Sequence, residues 1–305
     1  PRRIGHIWYC LLRRVKFLAS AVKVESSALG VARRRPDRFS SETFTLPIVS
    51  KEDLDRRIRT ESPGEGQKSR QEILAQEIQS GLEELERPAD GLFLSGLSAG
   101  LDIGFGPLLM AVLLTVVGGS WGDPLTRIVV ANAYAVGFIF VIGGRSELFT
   151  EHTARAMLPV LDGRASAGEL ARLWALVYAG NVLGGGLFAV GMVYFAPAYG
   201  IADPSAFTEI ALHLTEHGPW ILLAGGVAAG WLMGLLSWLL TAARESIARI
   251  AVVWLVTTSI GLAHLPHCIA GNVEVLAGTL VSPSISLAQY AGFLALATVG
   301  NVVGG

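Results

Sequence analysis

The sequence GLAHLPHCIAGNVE, residues 261–274, lies between two apolar runs, 250–260 and 275–281. Pro266 breaks any helix through these runs, because proline lacks a backbone N–H donor and clashes with the preceding turn. In a bilayer, a broken helix persists only where its freed backbone groups face protein or a water-filled cavity. His267 directly follows the break and is therefore a candidate functional residue, since ionisable side chains inside membrane segments mark substrate or ion paths.

The composition indicates a protein that crosses a membrane several times. Of the 305 residues, 51% are hydrophobic and 16% are charged, whereas soluble domains carry about 25% charged residues. Charged residues are concentrated before residue 90. The net charge of -1 gives no indication of nucleic-acid binding, and no nucleic-acid partner is expected. Cys10 and Cys268 have no metal-binding spacing, so the sequence predicts no disulfide, metal or cofactor.

The first 90 residues are predicted to lie outside the membrane. Residues 1–68 are basic and lack periodicity, which predicts a disordered cytoplasmic tail rather than a membrane-surface or partner-binding motif. In residues 69–90, apolar residues recur at helical spacing among glutamates until Pro88. We interpret this region as an amphipathic helix docked on the cytoplasmic face of the membrane domain.

Residues 91–305 are predicted to form a six-helix membrane domain. Each unbroken segment supplies the ~20 apolar residues that a bilayer requires. Helix breaks are expected in the second segment, near residues 143–147, and in the fifth segment, at Pro266. The sixth segment is expected to be truncated at Gly305. The predicted segments are 91–117, 127–161, 170–196, 219–241, 250–281 and 285–305.

The charges of the connections predict the orientation of the domain in a cell (inner) membrane. Arginines lie in or beside the connections after the second and fourth segments, at Arg155, Arg164, Arg172, Arg244 and Arg249. The loops after the third and fifth segments, 197–219 and 282–284, contain neither lysine nor arginine. Because cytoplasmic loops carry the excess of positive charge, both termini are predicted to be cytoplasmic.

Two motifs indicate an internal repeat. GNVLGG occupies residues 180–185 and GNVVGG occupies 300–305, an offset of 120 residues (300 − 180) that also aligns Glu147 with His267. Two three-helix halves must enter a membrane from opposite sides, and such inverted repeats place a substrate path at their interface. The fold class predicted is an all-α polytopic membrane protein with two inverted repeats. Most glycines have a simpler explanation, because small residues let helices pack closely.

These features together resemble the formate/nitrite transporter family, whose members are anion channels with an aquaporin-like six-helix fold that assemble as pentamers. The resemblance covers residues 70–305. SELFT, residues 146–150, is similar to the family motif at the break of the second helix, and HCIA, residues 267–270, is similar to the motif of its pore histidine. The family's Gly-Asn pairs match at Asn181 and Asn301.

The chain departs from the family pattern at four positions, which concern the substrate more than the fold. Arg145 and Glu151 flank the first motif where the family has smaller residues, Gly230 replaces a usual asparagine, and Pro266 precedes the histidine. Together with the long N-terminal extension, these departures indicate a divergent branch.

The resemblance implies a channel or transporter for small monovalent anions or their weak acids, embedded in the lipid bilayer as a homo-oligomer, and not an enzyme. His267 would line the pore and supply charge or a proton, since the reference pKa of histidine is near ~6.5. The alternative is a neutral imidazole bonded to a carbonyl freed by Pro266. Thr150 would offer its hydroxyl to the imidazole or the anion, or would cap a helix.

The remaining candidate residues have two interpretations each. Leu148 and Phe149 would form an apolar constriction that excludes hydrated ions, or an ordinary packing pair. Asn181 and Asn301 would bond the exposed backbone at the breaks, in preference to contacting the anion. For Glu147 we favour a structural role, either balancing Arg145 or fixing the loop, over lining the vestibule, because an acidic group in the path would repel an anion.

Two other functions compete with transport. An intramembrane metal-dependent enzyme would use His264, His267 and Glu274, since two histidines and a carboxylate can bind zinc. Zincins, however, place their histidines on one continuous helix, which Pro266 interrupts here. A haem-carrying subunit would need histidines on facing helices, and His152 is the only other histidine close to the interior of a membrane segment.

Overall fold

The structure is a computed structural model that describes residues 67–118 and 122–305. The tail predicted for residues 1–68 lies outside the described residues except for its last two positions. Within the described ranges the chain forms twelve helices: α1 Arg70–Glu86, α2 Ala89–Ile103, α3 Phe105–Val117, α4 Pro124–Gly144, α5 Phe149–Arg155, α6 Met157–Leu161, α7 Ala167–Ala198, α8 Pro204–Thr215, α9 Pro219–Ala242, α10 Ser246–Leu262, α11 Cys268–Val281 and α12 Leu287–Gly304.

Five spans among the described residues are long and apolar enough to cross a membrane. They are α2 and α3 together, α4, α7, α9 and α12. The segment predicted to be broken at Pro266 consists of two shorter apolar helices, α10 and α11. The protein is therefore an all-α polytopic membrane protein.

The connection between α7 and α9, predicted as a loop, contains helix α8. Pro204 starts this helix, where its fixed φ suits the first turn. Phe207, Ile210 and Leu214 form a buried stripe at helical spacing, and α8 packs against α11. A hydropathy search for membrane-length segments misses α8, because a short amphipathic helix has a low average hydropathy.

Glycine contacts recur at corresponding places in the two halves of the domain. Helix α2 packs against α7, and α9 packs against α12. A Cβ atom added to Gly184 of α7 would lie 2.2 Å from the carbonyl oxygen of Leu97, and one added to Gly304 of α12 would lie 2.0 Å from that of Val227. No side chain fits at such distances, so glycine at these two positions permits the helix backbones to touch.

A buried carboxylate of helix α1 contributes to its attachment to the membrane domain. It begins at a capping box in which Ser69 and Glu72 bond each other's backbone N–H groups. Glu77 is buried on the inner face of α1 and accepts hydrogen bonds from the hydroxyls of Ser237 and Thr241 on α9. Because an unpaired buried carboxylate is costly, these donors fix the position of α1.

Candidate transport site at two helix breaks

Two interruptions of the helices face each other inside the domain. The first separates α4 from α5, and Arg145 at its start has a φ of 56°. The second separates α10 from α11, and His264 within it has a φ of 51°. Residues other than glycine rarely adopt this left-handed conformation, so both turns are held by their surroundings.

Asn181 of α7 bonds the backbone of the first break on both sides. Its Oδ1 accepts the N–H of Phe149 at 2.8 Å. Its Nδ2 donates to the carbonyl oxygens of Glu147 and Gly96, each at 2.8 Å. The asparagine therefore satisfies backbone groups that the interrupted helix leaves without partners.

Asn301 of α12 makes the same three contacts at the second break. Its Oδ1 accepts the N–H of Cys268 at 2.8 Å, and its Nδ2 donates to the carbonyl oxygens of Pro266 and Gly226, each at 2.9 Å. Both asparagines are fully buried. Their side-chain amides are thus occupied by backbone at the two breaks.

A hydrogen bond between Thr150 and His267 joins the two breaks. The Oγ1 of Thr150 lies 2.8 Å from the Nε2 of His267, and both residues are almost completely buried. The Nδ1 of His267 accepts the N–H groups of Ile269 and Ala270, at 3.3 and 3.2 Å. Because Nδ1 accepts, these bonds assign the ring proton to Nε2, which donates to Thr150.

The imidazole therefore caps α11, which differs from the predicted structural alternative. That alternative had a carbonyl freed by Pro266 as the partner of the ring. The carbonyl of Pro266 instead accepts from Asn301, while His267 accepts from backbone N–H groups at the start of α11.

An aromatic ring contacts the Thr150–His267 pair, and the two residues that precede Thr150 are buried and apolar. The ring of Phe138 on α4 meets His267 edge-on with centroids 5.1 Å apart, and Leu148 is fully buried. Phe149 packs against Tyr178 and Trp174 of α7, with centroid distances of 5.0 and 6.1 Å. Phe149 therefore packs between helices, as in the alternative to a constriction, and Phe138 provides the aromatic surface at the imidazole.

Glu147 forms a charged cluster with residues other than Arg145. It bonds Arg87, which follows α1, and the buried His152 of α5. The expectation that Glu147 balances Arg145 is therefore wrong, because Arg87 reaches the break from outside the membrane segments. Burial disfavours the charge of Arg87, but the hydrogen bonds and charges of Glu84 and Glu147 outweigh this effect and raise its pKa.

This charged cluster is also the one group of potential metal ligands that converges within the described part of the chain. Ligand atoms of Glu84, Glu147 and His152 lie within 4.8 Å of one another. The guanidinium of Arg87 bonds both carboxylates. It therefore supplies the positive charge that a metal ion would otherwise provide.

The residues of the proposed enzyme alternative surround a cavity but do not form a metal site. His264, His267 and Glu274 line a cavity of about 20 Å³. Their ligand atoms do not converge within 4.8 Å in the residues described here. Both ring nitrogens of His267 are already hydrogen-bonded, so the imidazole has no lone pair left for zinc.

The sequence interpretation missed Phe138 and Arg87 at this site. Phe138 is one of many apolar residues in α4, and nothing local distinguishes it. Arg87 has a weak signal, since it stands between the amphipathic pattern and Pro88, at the edge of the first membrane segment.

Paired helix breaks around a buried polar contact, inside a polytopic helical protein, define the class of membrane channels and transporters. The sequence profile described as Formate/nitrite transporter matches residues 71–305. The chain belongs to this family, whose members are transporters and channels and not enzymes.

Individual relatives agree with the family assignment. The chain is 34% identical over 230 residues to the inner membrane protein YfdC of Escherichia coli, with 74% of this chain and 72% of that protein covered. It is 26% identical over 219 residues to the nitrite transporter NirC of Salmonella typhimurium, with 70% of this chain and 79% of that protein covered.

Solved structures share the fold. A channel described as an FNT family ion channel superposes with a TM-score of 0.65 at 22% identity, covering 77% of this chain and 94% of that one. A pentameric formate channel with formate bound superposes with a TM-score of 0.57 at 25% identity, covering 71% of this chain and 92% of that one.

Proposed function

We propose that this protein conducts small monovalent anions or their weak acids across the membrane, along a path between the two helix breaks. The observation that carries this proposal is the buried hydrogen bond between Thr150 and His267. This bond connects the two breaks. A substrate that enters between the two side chains breaks this one hydrogen bond and accepts two, one from His267 and one from Thr150.

The chemistry of the pair suits a small anion. Moving an ion from water into an apolar interior is costly unless hydrogen-bond donors replace its hydration shell. The Nε2–H of His267 and the hydroxyl of Thr150 are two such donors. The imidazole is held in one orientation because its Nδ1 caps α11, so the donor needs no reorganisation when a substrate arrives.

Hydrophobic side chains at the pair support proton-linked permeation. Phe138 presents apolar surface next to His267, and Leu148 is buried two residues before Thr150. This apolar surface disfavours hydrated ions. A weak acid that carries its proton is neutral and passes such a surface at lower cost. We assign the constriction to Leu148 with Phe138, and a packing role to Phe149.

The proposal extends to assembly and orientation. A homo-pentamer is the expected assembly, because a structural relative is a pentameric formate channel. The arginines between α6 and α7 and between α9 and α10 favour a cytoplasmic position for both termini and for α1. We assign to Glu147 and Arg87 the role of fixing α1 against the first break, outside the substrate contacts.

Transport by the purified protein in liposomes tests the proposal. We would follow uptake of formate, nitrite, hydrosulfide, acetate and lactate across a pH range, and confirm five copies per particle by native mass spectrometry. Wild-type protein is expected to take up at least one of these substrates. No uptake of any would contradict the proposed function.

Variants at the central pair localise the path. Thr150→Val keeps the shape but removes the hydroxyl, and we expect about tenfold slower uptake, the equivalent of one lost hydrogen bond. His267→Ala should reduce uptake further and change its pH dependence. Thr258→Val is the matched control, because the hydroxyl of Thr258 has no hydrogen-bond partner within the described ranges. Normal uptake by His267→Ala at every pH would remove the histidine from the path.

A further inference from the structure

The carboxyl group of Glu274 is buried, and one of its oxygens lacks a hydrogen-bond partner within the described residues. Glu274 is 5% exposed, and its Oε1 has no hydrogen-bond partner among the residues described. Buried polar atoms are nearly always paired, so an unpaired one needs either a water molecule or a functional role to explain it. An ionised carboxylate without a cation is especially costly in such a place, so this group is stable as a carboxylic acid that holds a proton.

Glu274 and His267 line the same small cavity. Its volume is about 20 Å³, which is room for about one water molecule. His267 is the N-cap residue of α11, and Glu274 is the seventh residue of that helix. A cavity of this size is too small to seat a second anion, but it is large enough to pass a proton through one water.

The histidine is poorly placed to supply that proton itself. Its Nδ1 accepts hydrogen bonds from two backbone N–H groups. A second ring proton would have to sit on Nδ1, where it would be repelled by these two donors. If Nε2–H gave its proton away, the ring could regain it only at Nε2. The imidazole therefore works as a fixed hydrogen-bond donor. The nearby group with a transferable proton and no competing partner at one oxygen is Glu274.

We propose that Glu274 gives the proton that converts the permeating anion into its neutral acid beside His267. This inference rests on the proposed transport function. The O–H bond of the Glu274 carboxyl breaks as an O–H bond forms on the substrate, directly or through one water in the cavity. The resulting carboxylate regains a proton from the side on which the anion entered, so one anion and one proton cross together.

Several other titratable or charged groups line the cavity or lie close to it. Tyr134 of α4 and His264 line it with Glu274, and Cys268 of α11 is buried beside His267. His213 of α8 stacks on His264 at 5.6 Å, and Arg127 of α4 donates to the carbonyl of Leu262. The remaining lining side chains from α3 and α8 are apolar: Met110, Ile210 and Leu214.

The variant Glu274→Gln tests the proposal, because it keeps the size and polarity of the side chain but removes the transferable proton. Uptake of the best wild-type substrate would be measured in liposomes that contain a pH indicator. We expect Glu274→Gln to slow uptake and its accompanying proton flux by at least about tenfold, as for loss of a proton donor, with the oligomer unchanged. Glu245→Gln is the control, because Glu245 is exposed at the start of α10.

The possible results separate this inference from the proposed function. If wild-type protein transports nothing, the proposed function fails; if Glu274→Gln transports at the wild-type rate and pH dependence, only the role of Glu274 fails. If Glu274→Gln does not assemble, Glu274→Asp decides, since it retains a carboxyl in a shifted position. Uptake with a displaced pH midpoint would support proton donation, and uptake with the wild-type pH profile, or no assembly of either variant, would overturn it.

Discussion

In the first break Glu147 is bound by Arg87 and His152. In the second break the partners of His267, among the residues that the structure describes, are backbone N–H groups and Thr150. The asparagines that bond the two breaks nevertheless make the same three contacts. The asparagine contacts are therefore the same at both breaks, but the functional side chains that they position are different. The first break holds a charged cluster in contact with α1, and the second holds a neutral donor beside a buried acid.

The largest effect is expected from removing the shared asparagines. Asn181→Leu or Asn301→Leu leaves two buried backbone groups at a break, one N–H and one carbonyl oxygen, without partners. At ~1–3 kcal/mol for each group we expect the free energy of unfolding to fall by about 4 kcal/mol. Thermal unfolding of the purified oligomer would measure it, with Asn132→Leu as the control at a partly exposed position of α4. If one variant loses much stability and the other little, the two asparagines are not equivalent in the two halves.

Glycines at the close helix contacts should give the next largest effect. A Cβ added to Gly100 would lie 2.3 Å from the carbonyl oxygen of Asn181, and one added to Gly230 would lie 2.3 Å from that of Asn301. We expect Gly100→Ala and Gly230→Ala to destabilise the protein by ~1–3 kcal/mol each. Gly191→Ala, whose added Cβ would meet no described residue within 4 Å, should be neutral or stabilising. Equal melting temperatures for all three variants would contradict the close-contact explanation.

The smallest effect is expected at the charged cluster of the first break. Arg87→Gln removes the cation that bonds Glu84 and Glu147, and a partly exposed ion pair contributes about 1 kcal/mol. Hydrogen exchange should show faster opening of α1, and added salt should shrink the difference from wild type because it screens the pair. If hydrogen exchange becomes equally faster in α11, the two breaks are coupled, and the charged cluster does not act on the first break alone.

The sequence predicts that both helices are interrupted, but it does not predict which residue pairs with Glu147. Pro266 predicts an interrupted helix because it acts on backbone geometry that is local in sequence. The repeated Gly-Asn pairs predict an equivalent arrangement in the other half, with one asparagine for each break. The partner of Glu147 could not be predicted in this way. Arg145 is the neighbour in sequence, but its left-handed backbone forms part of the turn, and Arg87 approaches from 60 residues away.

The sequence by itself determined that this is a polytopic helical membrane protein with two broken segments, because hydropathy, proline and glycine constrain each segment separately. It also carried the family motifs at residues 146–150 and 267–270. Only the tertiary structure decided that His267 caps α11 and meets Thr150, that Phe138 covers the imidazole, and that Glu274 shares its cavity. The contacts of His267 with Thr150 and Phe138 join helices distant in the chain, so no local pattern specifies them.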